Sequence, residues 1–527
     1  MTKFKLAFFK FGNNLIDYLF YFFIFISLYF ALMSPNLTLG DTLTPQTLGE
    51  GTTWVTIVFL LLIIGIVSAF FVFKKFRLSM LWFFKDKGNI VAPIILSLVI
   101  LIQVIFVLHT HPSIGFDPGA IHEGLFSDHS NELKAYFSMY TNNLALLLLQ
   151  HQISIFANST SWLLFDIVNI IFLDVAVLLN ILTVALIDRR KVIAAIYMHA
   201  IWILVFPMIL VPYSDVVVMP LVSGLILTYV IAQKSNFKLV WRLFAALGNG
   251  FFLTAIYFIK PSAIVPIIAI VAVEFLYLFR NSVGIDVQWQ KIKGVMIMLL
   301  LFVGAVTSYA YVNHQIESQR VIEITPHRTV PAIHFINMGV SGDGGYNEKD
   351  ALEMGRQPTQ KAMVDYSKKH LIARLKERGF FGYLKFLLHK QNKNSSDGTF
   401  AWLIEGHFMT AKPSGTGLTR LFEDFVYPEG KYLSDFRYIA QVVWILLLSM
   451  IALGWRSKNK LTQILRLSIV GLFMYLLIFE GGRSRYLIQG LPVFWLMAAL
   501  VLPDTMAMLR SKLKWLQKDV PTQTMKN

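Results

Sequence analysis

The chain has 527 residues, of which 56% are hydrophobic and only 15% charged, with a mean hydropathy of +0.60. A water-soluble protein carries roughly a quarter of its residues charged, so this chain cannot cover its apolar surface in water, and the bilayer is its natural solvent. The net charge of +16 sits in short clusters between apolar runs, which reads as membrane topology and argues against a nucleic-acid partner; with no cysteine, disulfides, thiol catalysis and Cys-based metal sites are excluded.

A membrane crossing needs about 20 mostly apolar residues. In chain order such runs lie at 14–33, 54–73, 90–109, 162–187, 192–212, 216–233, 240–259, 262–280, 294–312, 437–455, 461–479 and 487–506. They predict an all-α polytopic protein of about twelve crossings. The first run lacks a small-residue cleavage site and reads as a retained helix. Between the third and fourth runs, the stretch from Asn143 to Gln150 is too short to span and predicts a helix lying along the interface. Residues 313–436 are polar and predict an α-rich soluble domain of about 120 residues, with a Gly-rich turn at 339–346 and an amphipathic piece at 380–389. The chain thus divides into two N-terminal crossings (1–89), a core (90–312) with a long loop at 110–161, the polar domain (313–436), and three crossings with a tail (437–527).

Basic residues mark alternate loops. Lys3, Lys5 and Lys10 precede the first run, and Lys74, Lys75, Arg77, Lys85 and Lys87 follow the second. Further clusters lie at 189–191, 234–242, 280–293, 456–466 and 510–518, while loops 34–53 and 110–160 hold almost none. The positive-inside rule then places both termini in the cytoplasm and the 313–436 domain outside.

Polar groups at span ends are costly near lipid and tend to serve a purpose. Four clusters fall on the predicted outer side. Asp117 follows the third run and precedes Pro118-Gly119, a tight turn that fixes its carboxylate near the membrane surface, with His122 and Glu123 beyond it. It reads as a general base or a metal-binding carboxylate; the plainer reading is a turn cap. Tyr213-Ser214-Asp215 stands at the outer end of the fifth run, where Ser214 or Asp215 also suits a cap for the next helix. Lys260 stands beside a helix start, an anion site, or snorkels to the interface. Glu480-Gly-Gly-Arg483-Ser-Arg485-Tyr486 puts two arginines against the charge trend, suited to bidentate phosphate binding or to an ion pair with Glu480 or Asp435. Asp166 and Asp174 lie inside the fourth run, eight residues apart and roughly on one face. No nucleotide-binding phosphate loop and no HExxH spacing occurs.

Acids and bases gathered on one membrane face, in this order, resemble the GT-C superfamily of integral-membrane glycosyltransferases. The likeness is to its bacterial cell-envelope members, alongside the protein O-mannosyltransferases and the aminoarabinose transferases. The resemblance rests on the loop His111 to Asp128 after the first core run, the interfacial stretch 135–157, and the Tyr213-Ser-Asp215, Lys260-Pro-Ser262 and Arg483-Ser-Arg485-Tyr486 motifs. It covers residues 90–312 and 437–505 in arrangement. Many relatives carry adjacent acids where this chain has Asp117 and then Glu123, and two extra crossings precede the core. The resemblance implies an inverting transfer of a sugar from a polyprenyl-phosphate carrier to a polymer, lipid or protein of the cell envelope. The enzyme would work at the outer face of a bacterial cytoplasmic membrane. Asp117 and Glu123 would be its catalytic carboxylates. Lys260, Arg483, Arg485, Tyr486, Tyr213, Asp215 and His122 would bind substrate and phosphate. Some members use a divalent metal such as Mg or Mn, others none. The alternative is a lipid-linked oligosaccharide flippase or a polymer ligase; a flippase needs a polar cavity through the spans, and the polar groups gather on one side.

Overall fold

The computed structural model describes residues 2–40, 51–234, 236–280, 287–404, 408–455, 457 and 459–512. Among them the chain is helical, with no β-strand. The helices are α1 (Thr2–Leu32), α2 (Trp54–Val72), α3 (Lys74–Leu81), α4 (Gly88–His109), α5 (Phe116–Glu123), α6 (Asn131–Met139), α7 (Leu144–Ala157), α8 (Trp162–Ile187), α9 (Val192–Leu204) and α10 (Ser214–Gln233). They continue with α11 (Leu239–Ile259), α12 (Val265–Tyr277), α13 (Val287–Ser318), α14 (Ala332–Met338), α15 (Glu348–Arg356), α16 (Gln360–Ser395), α17 (Gly417–Val426), α18 (Leu433–Leu453), α19 (Lys460–Ile478) and α20 (Leu491–Lys512).

Ten of these segments are long and apolar enough to cross a membrane: α1, α2, α4, α8, α10, α11, α13, α18, α19, and α20 with the 3-10 turn before it. The polytopic helical architecture is as the sequence predicts. Burial separates centre from rim. Within their most apolar windows α20 is 83% buried and α10 72%, whereas α2 is 6% and α13 11% buried. The rim helices present apolar side chains outward, which only a lipid environment tolerates over such lengths. Asp435 fastens α2 to the bundle. Its carboxylate accepts from the backbone N–H and hydroxyl of both Thr53 and Thr56, at 2.6–3.0 Å, and so caps that helix.

Two of the expected crossings are not continuous helices. In 192–212, α9 stops at Leu204 and a 3-10 turn follows at Pro207–Leu210. Pro207 has no N–H, and its ring pushes Phe206 out of the helical region, to φ −100°, ψ 99°. The Ile203 carbonyl, four residues before Pro207, accepts from Gln103 of α4 at 3.1 Å, and Asn169 of α8 holds the turn itself, its Nδ2 lying 3.0 Å from the oxygens of Met208, Ile209 and Val211. In 262–280, a 3-10 turn at Pro261–Ile264 precedes the 13-residue α12. The interfacial stretch is α7, whose Leu144, Leu146 and Leu147 are buried while Phe156 is almost fully exposed.

The polar segment 313–436 both caps the bundle and enters it. Helix α16 bends at Gly379 (φ +60°), and its last turns run in among the spans. Gln391 donates to Ser27 of α1, and Trp444, midway along α18, donates to the Ser395 carbonyl. Residues 396–403 then turn back inside the bundle with Phe400, Ala401 and Leu403 at φ 57°, 62° and 58°. Each such left-handed residue costs roughly 1–2 kcal/mol, so the surroundings must impose the path. Asp397 does much of this: it accepts from Asn36 Nδ2 (2.8 Å), Thr399 N (2.8 Å), Thr399 Oγ1 (2.7 Å), Ala401 N (2.7 Å) and Ser484 Oγ (3.3 Å). Arg437 donates to the Trp402 carbonyl and the Trp402 indole to Val426 O. Irregular backbone at this depth is tolerable because protein, not lipid, covers it.

Candidate functional site

All four polar clusters meet at one end of the bundle. Asp117, in the first turn of α5, is half-buried and accepts two phenol hydrogen bonds: Tyr136 Oη to Oδ1 at 2.6 Å and Tyr213 Oη to Oδ2 at 2.9 Å. Asn143 ties the phenols together, donating to Tyr136 Oη at 2.6 Å and lying 3.2 Å from Tyr213 Oη through its Oδ1. Burial, reinforced by the charge of Asp117, pushes both phenols well above the usual tyrosine range, so they remain protonated donors. Phe116, just before Asp117, sits at φ 54°, a strained position for an aromatic residue.

On the other side of Tyr213 lie the cations. Lys260 Nζ is 5.5 Å from the Tyr213 ring centroid and the Arg485 guanidinium 5.9 Å. Both touch Asp215, Lys260 at 2.9 Å and Arg485 at 3.6 Å, and all three side chains are nearly buried. Residues 215, 260 and 485 lie within one residue of the ends of three different spans, so the convergence is tertiary. Tyr486 donates to Glu480 Oε1 at 2.5 Å. Arg483 and Arg485 act on Glu480 electrostatically, as does Asp117, and burial lifts the Glu480 carboxyl above its ordinary range. Tyr140 and Tyr346 lie within the same field of Asp117 and Glu480.

The re-entrant part of α16 builds the loop that carries the arginines. Lys390, fully buried, donates to the carbonyls of Phe479 (2.6 Å), Gly339 (2.7 Å) and Leu477 (3.2 Å). Asn394 Oδ1 accepts from Gly482 N at 2.7 Å, and Gly481 N donates to Gly344 O at 2.9 Å. Gly482 is at φ +71°, and a Cβ there would stand 2.7 Å from Gly345 N, so only glycine lets the loop and the Gly-rich turn lie against each other. Asp397 holds Ser484, between the two arginines.

Two expected site residues lie elsewhere. His122 stacks on Trp162 at 4.2 Å, with its Nε2 2.7 Å from Thr160 O; burial lowers its pKa and keeps the ring neutral, which suits packing rather than anion binding. Glu123 is exposed at the far end of α5. Six residues turn a helix by about 240°, so Asp117 and Glu123 do not face one ligand. Among the described residues no group of three or more His, Asp or Glu side chains is placed to hold a metal ion. Asp435, a possible partner for the arginines, caps α2 instead. Tyr136, Asn143, Tyr140 and Tyr346 escape sequence reasoning, since isolated polar residues, in short helix α6 or in the turns, carry no spacing signal. Glu480 stands in the sequence only as a possible ion-pair partner.

Residues 8–506 match the family described as conserved hypothetical integral membrane protein. The chain belongs to that family. The match reaches into all ten spans described above, covers the whole polar segment, and supports membrane location. No curated protein matches the chain.

Proposed function

We propose that this protein is a glycosyltransferase that takes a sugar from a polyprenyl-phosphate carrier and passes it to a cell-envelope acceptor. The observation that carries the reading is a carboxylate, Asp117, held by two phenols and separated only by the Tyr213 side chain from the Lys260 and Arg485 pair, at the end of an apolar bundle. An amphiphile with a phosphate headgroup and a long tail suits that juxtaposition: its tail stays in lipid while the cations meet its phosphate. The distribution of Lys and Arg along the chain supports placing this end outside the cytoplasm.

In this reading Asp117 accepts the proton of the acceptor hydroxyl as its oxygen attacks the anomeric carbon. The bond from that carbon to the phosphate oxygen breaks, and its electron pair leaves on the phosphate. Lys260 and Arg485, now paired with Asp215, would share themselves with the departing charge. Tyr136 and Tyr213 hold the carboxylate in one orientation, which preserves the approach geometry.

The test uses the full chain in lipid nanodiscs, offered a panel of radiolabelled polyprenyl-phosphate sugars together with an envelope fraction. Label transferred to envelope material supports the reading. Label that stays on the lipid but crosses the bilayer in proteoliposomes supports a flippase instead.

A further inference from the structure

The amphipathic piece at 380–389 takes no part in the site, and its apolar face is left exposed. Gly379 bends α16 with φ 60° and ψ −179°, a conformation open essentially only to glycine, so the turns after it take a direction of their own. Phe381, Leu384, Lys385 and Leu388 have the spacing of one helical face and are all exposed, with Phe380 beside them. Phe380 is 72% and Phe381 82% exposed, and their rings meet edge to face at 5.3 Å.

The opposite face is fixed to protein. Phe386 and Lys390 are buried there. Arg378 lies 3.9 Å from the Phe386 ring centroid and donates to the carbonyls of Val340 and Gly342, while Lys390 donates to those of Gly339 and Phe479. The helix therefore cannot roll its phenylalanines inward without breaking these bonds. A contiguous apolar face held outward in this way marks an interaction surface.

What covers that face follows from its depth. Gln391 donates to Ser27, five residues before the end of α1 at Leu32, and Ser395 accepts from Trp444, eleven residues into α18. Toward its C-terminus α16 thus sinks into the bundle, and toward its N-terminus it climbs out. At 1.5 Å per residue, Ser27 lies about 7.5 Å inside the end of α1, and Phe381 at most about 15 Å back up the helix from Gln391. Phe381 therefore stands no more than about 7.5 Å beyond the end of α1, Leu384 about 3 Å beyond it and Leu388 about 3 Å within. Tyr29, Leu32 and Met33 are exposed apolar side chains, which puts the end of α1 at the hydrocarbon boundary. The polar layer of a bilayer extends roughly 5–7.5 Å past that boundary, so the whole stripe lies within it. From 376 to 389 the titratable residues are Lys376, Glu377, Arg378, Tyr383, Lys385 and His389, with Glu377 the only acid, a balance suited to headgroup phosphates.

We propose that the 380–388 face of α16 is seated in the lipid leaflet beside the polar segment. Leu384 and Leu388 lie at the edge of the hydrocarbon, the two phenylalanines lie among the headgroups, and Lys385 runs its stem along lipid to reach their phosphates. The helix that carries Lys390 and Asn394 to the arginine loop then has a lipid foothold on its other side.

The chain contains no cysteine, so a single introduced one takes a nitroxide label uniquely. Phe381→Cys and Leu384→Cys are labelled separately in the full chain, in nanodiscs of phosphatidylcholine and phosphatidylglycerol. Collisions of the label with oxygen, which concentrates in lipid, and with a water-soluble nickel chelate are measured by power saturation. Leu61→Cys, on the exposed side of α2, sets the lipid reference, and Lys361→Cys, in the first turn of α16, sets the water reference. The expected result is oxygen contact exceeding chelate contact at 381 and 384, with 384 the deeper of the two. Chelate contact as high as at 361 in either position overturns the proposal. Low contact with both reagents overturns it too: protein then covers the face, and spin–spin broadening marks that protein as a second copy of the chain.

Discussion

Tyr213 carries two separable loads, and the substitution Tyr213→Phe removes one of them. The hydroxyl bonds Asp117 Oδ2 at 2.9 Å and stands 3.2 Å from Asn143 Oδ1, while the ring centroid lies 5.5 Å from the Lys260 ammonium and 5.9 Å from the Arg485 guanidinium. Phe keeps the ring. A hydrogen bond to a charged group contributes about 1.5–3 kcal/mol. If that is lost wholly from the transition state, at 1.36 kcal/mol per decade, sugar transfer falls roughly 10- to 150-fold, an upper bound because Tyr136 still holds the other oxygen. Tyr136→Phe should act on the same carboxylate, so the double variant should depart from additivity by at least about 0.5 kcal/mol. Tyr213→Leu should lose carrier binding as well, because the aromatic face beside both cations is gone. Initial transfer rates in nanodiscs, with carrier binding measured separately, provide the assay. A Tyr213→Phe protein that folds, binds carrier and transfers sugar within threefold of the unaltered protein would refute the view that the phenols orient Asp117.

Three further outcomes follow. Arg485→Lys should weaken carrier binding by tenfold or more, since one ammonium cannot reproduce a planar guanidinium, and a binding isotherm with a farnesyl phosphodiester checks it. Asp17→Ala should destabilise the folded protein by about 3–5 kcal/mol, because it strands Arg466, fully buried and 2.5 Å from the Asp17 carboxylate; thermal unfolding in detergent reads the drop. Lys390 gives a pH signature. Burial draws its ammonium down to about 7, so between that value and the ordinary lysine range only the unfolded chain holds the proton, and folding stability should rise as pH climbs through that window. Lys390→Met should abolish the slope and loosen the 479–486 loop, seen as a flat stability profile together with weakened carrier binding.

The legible and the hidden parts of this protein differ in a physical way. Helices such as α2 and α4 announce themselves because lipid demands unbroken apolar runs. The run 192–212 is equally apolar, yet Pro207 breaks it, and composition says nothing of Asn169, which donates from another helix to the carbonyls of the turn that follows. Residues 386–403 read as water-exposed because they hold Lys390, Asn394 and Asp397. Those three side chains are buried instead, and each bonds a partner far away in sequence: Lys390 the Phe479 carbonyl, Asn394 Oδ1 the Gly482 N–H, and Asp397 the Asn36 amide. At the site, Asp117, Asp215, Lys260 and Arg485 were visible because each is a costly group at a span end. Their convergence is tertiary. His122 and Glu123 looked equally promising by position, and only the turn of α5 and the Trp162 stack separate them from Asp117. Tyr213 is legible as a span-end candidate, whereas Tyr136 reads as an ordinary interfacial aromatic, and only the folded structure brings both phenols onto one carboxylate.

The central claim is that Asp117 is the base of a sugar transfer, and Asp117→Asn addresses it with one atom changed. The amide keeps an oxygen for one phenol and removes the charge and the basicity. Transfer from the carrier and binding of the carrier are measured side by side on the folded variant in nanodiscs. The predicted result is carrier binding near that of the unaltered protein with transfer reduced by a factor on the order of 10² or more, the usual contribution of a positioned general base. Near-normal transfer by Asp117→Asn, in a protein whose Asp117→Ala counterpart fails to fold, contradicts the claim and leaves Asp117 as the cap of a turn.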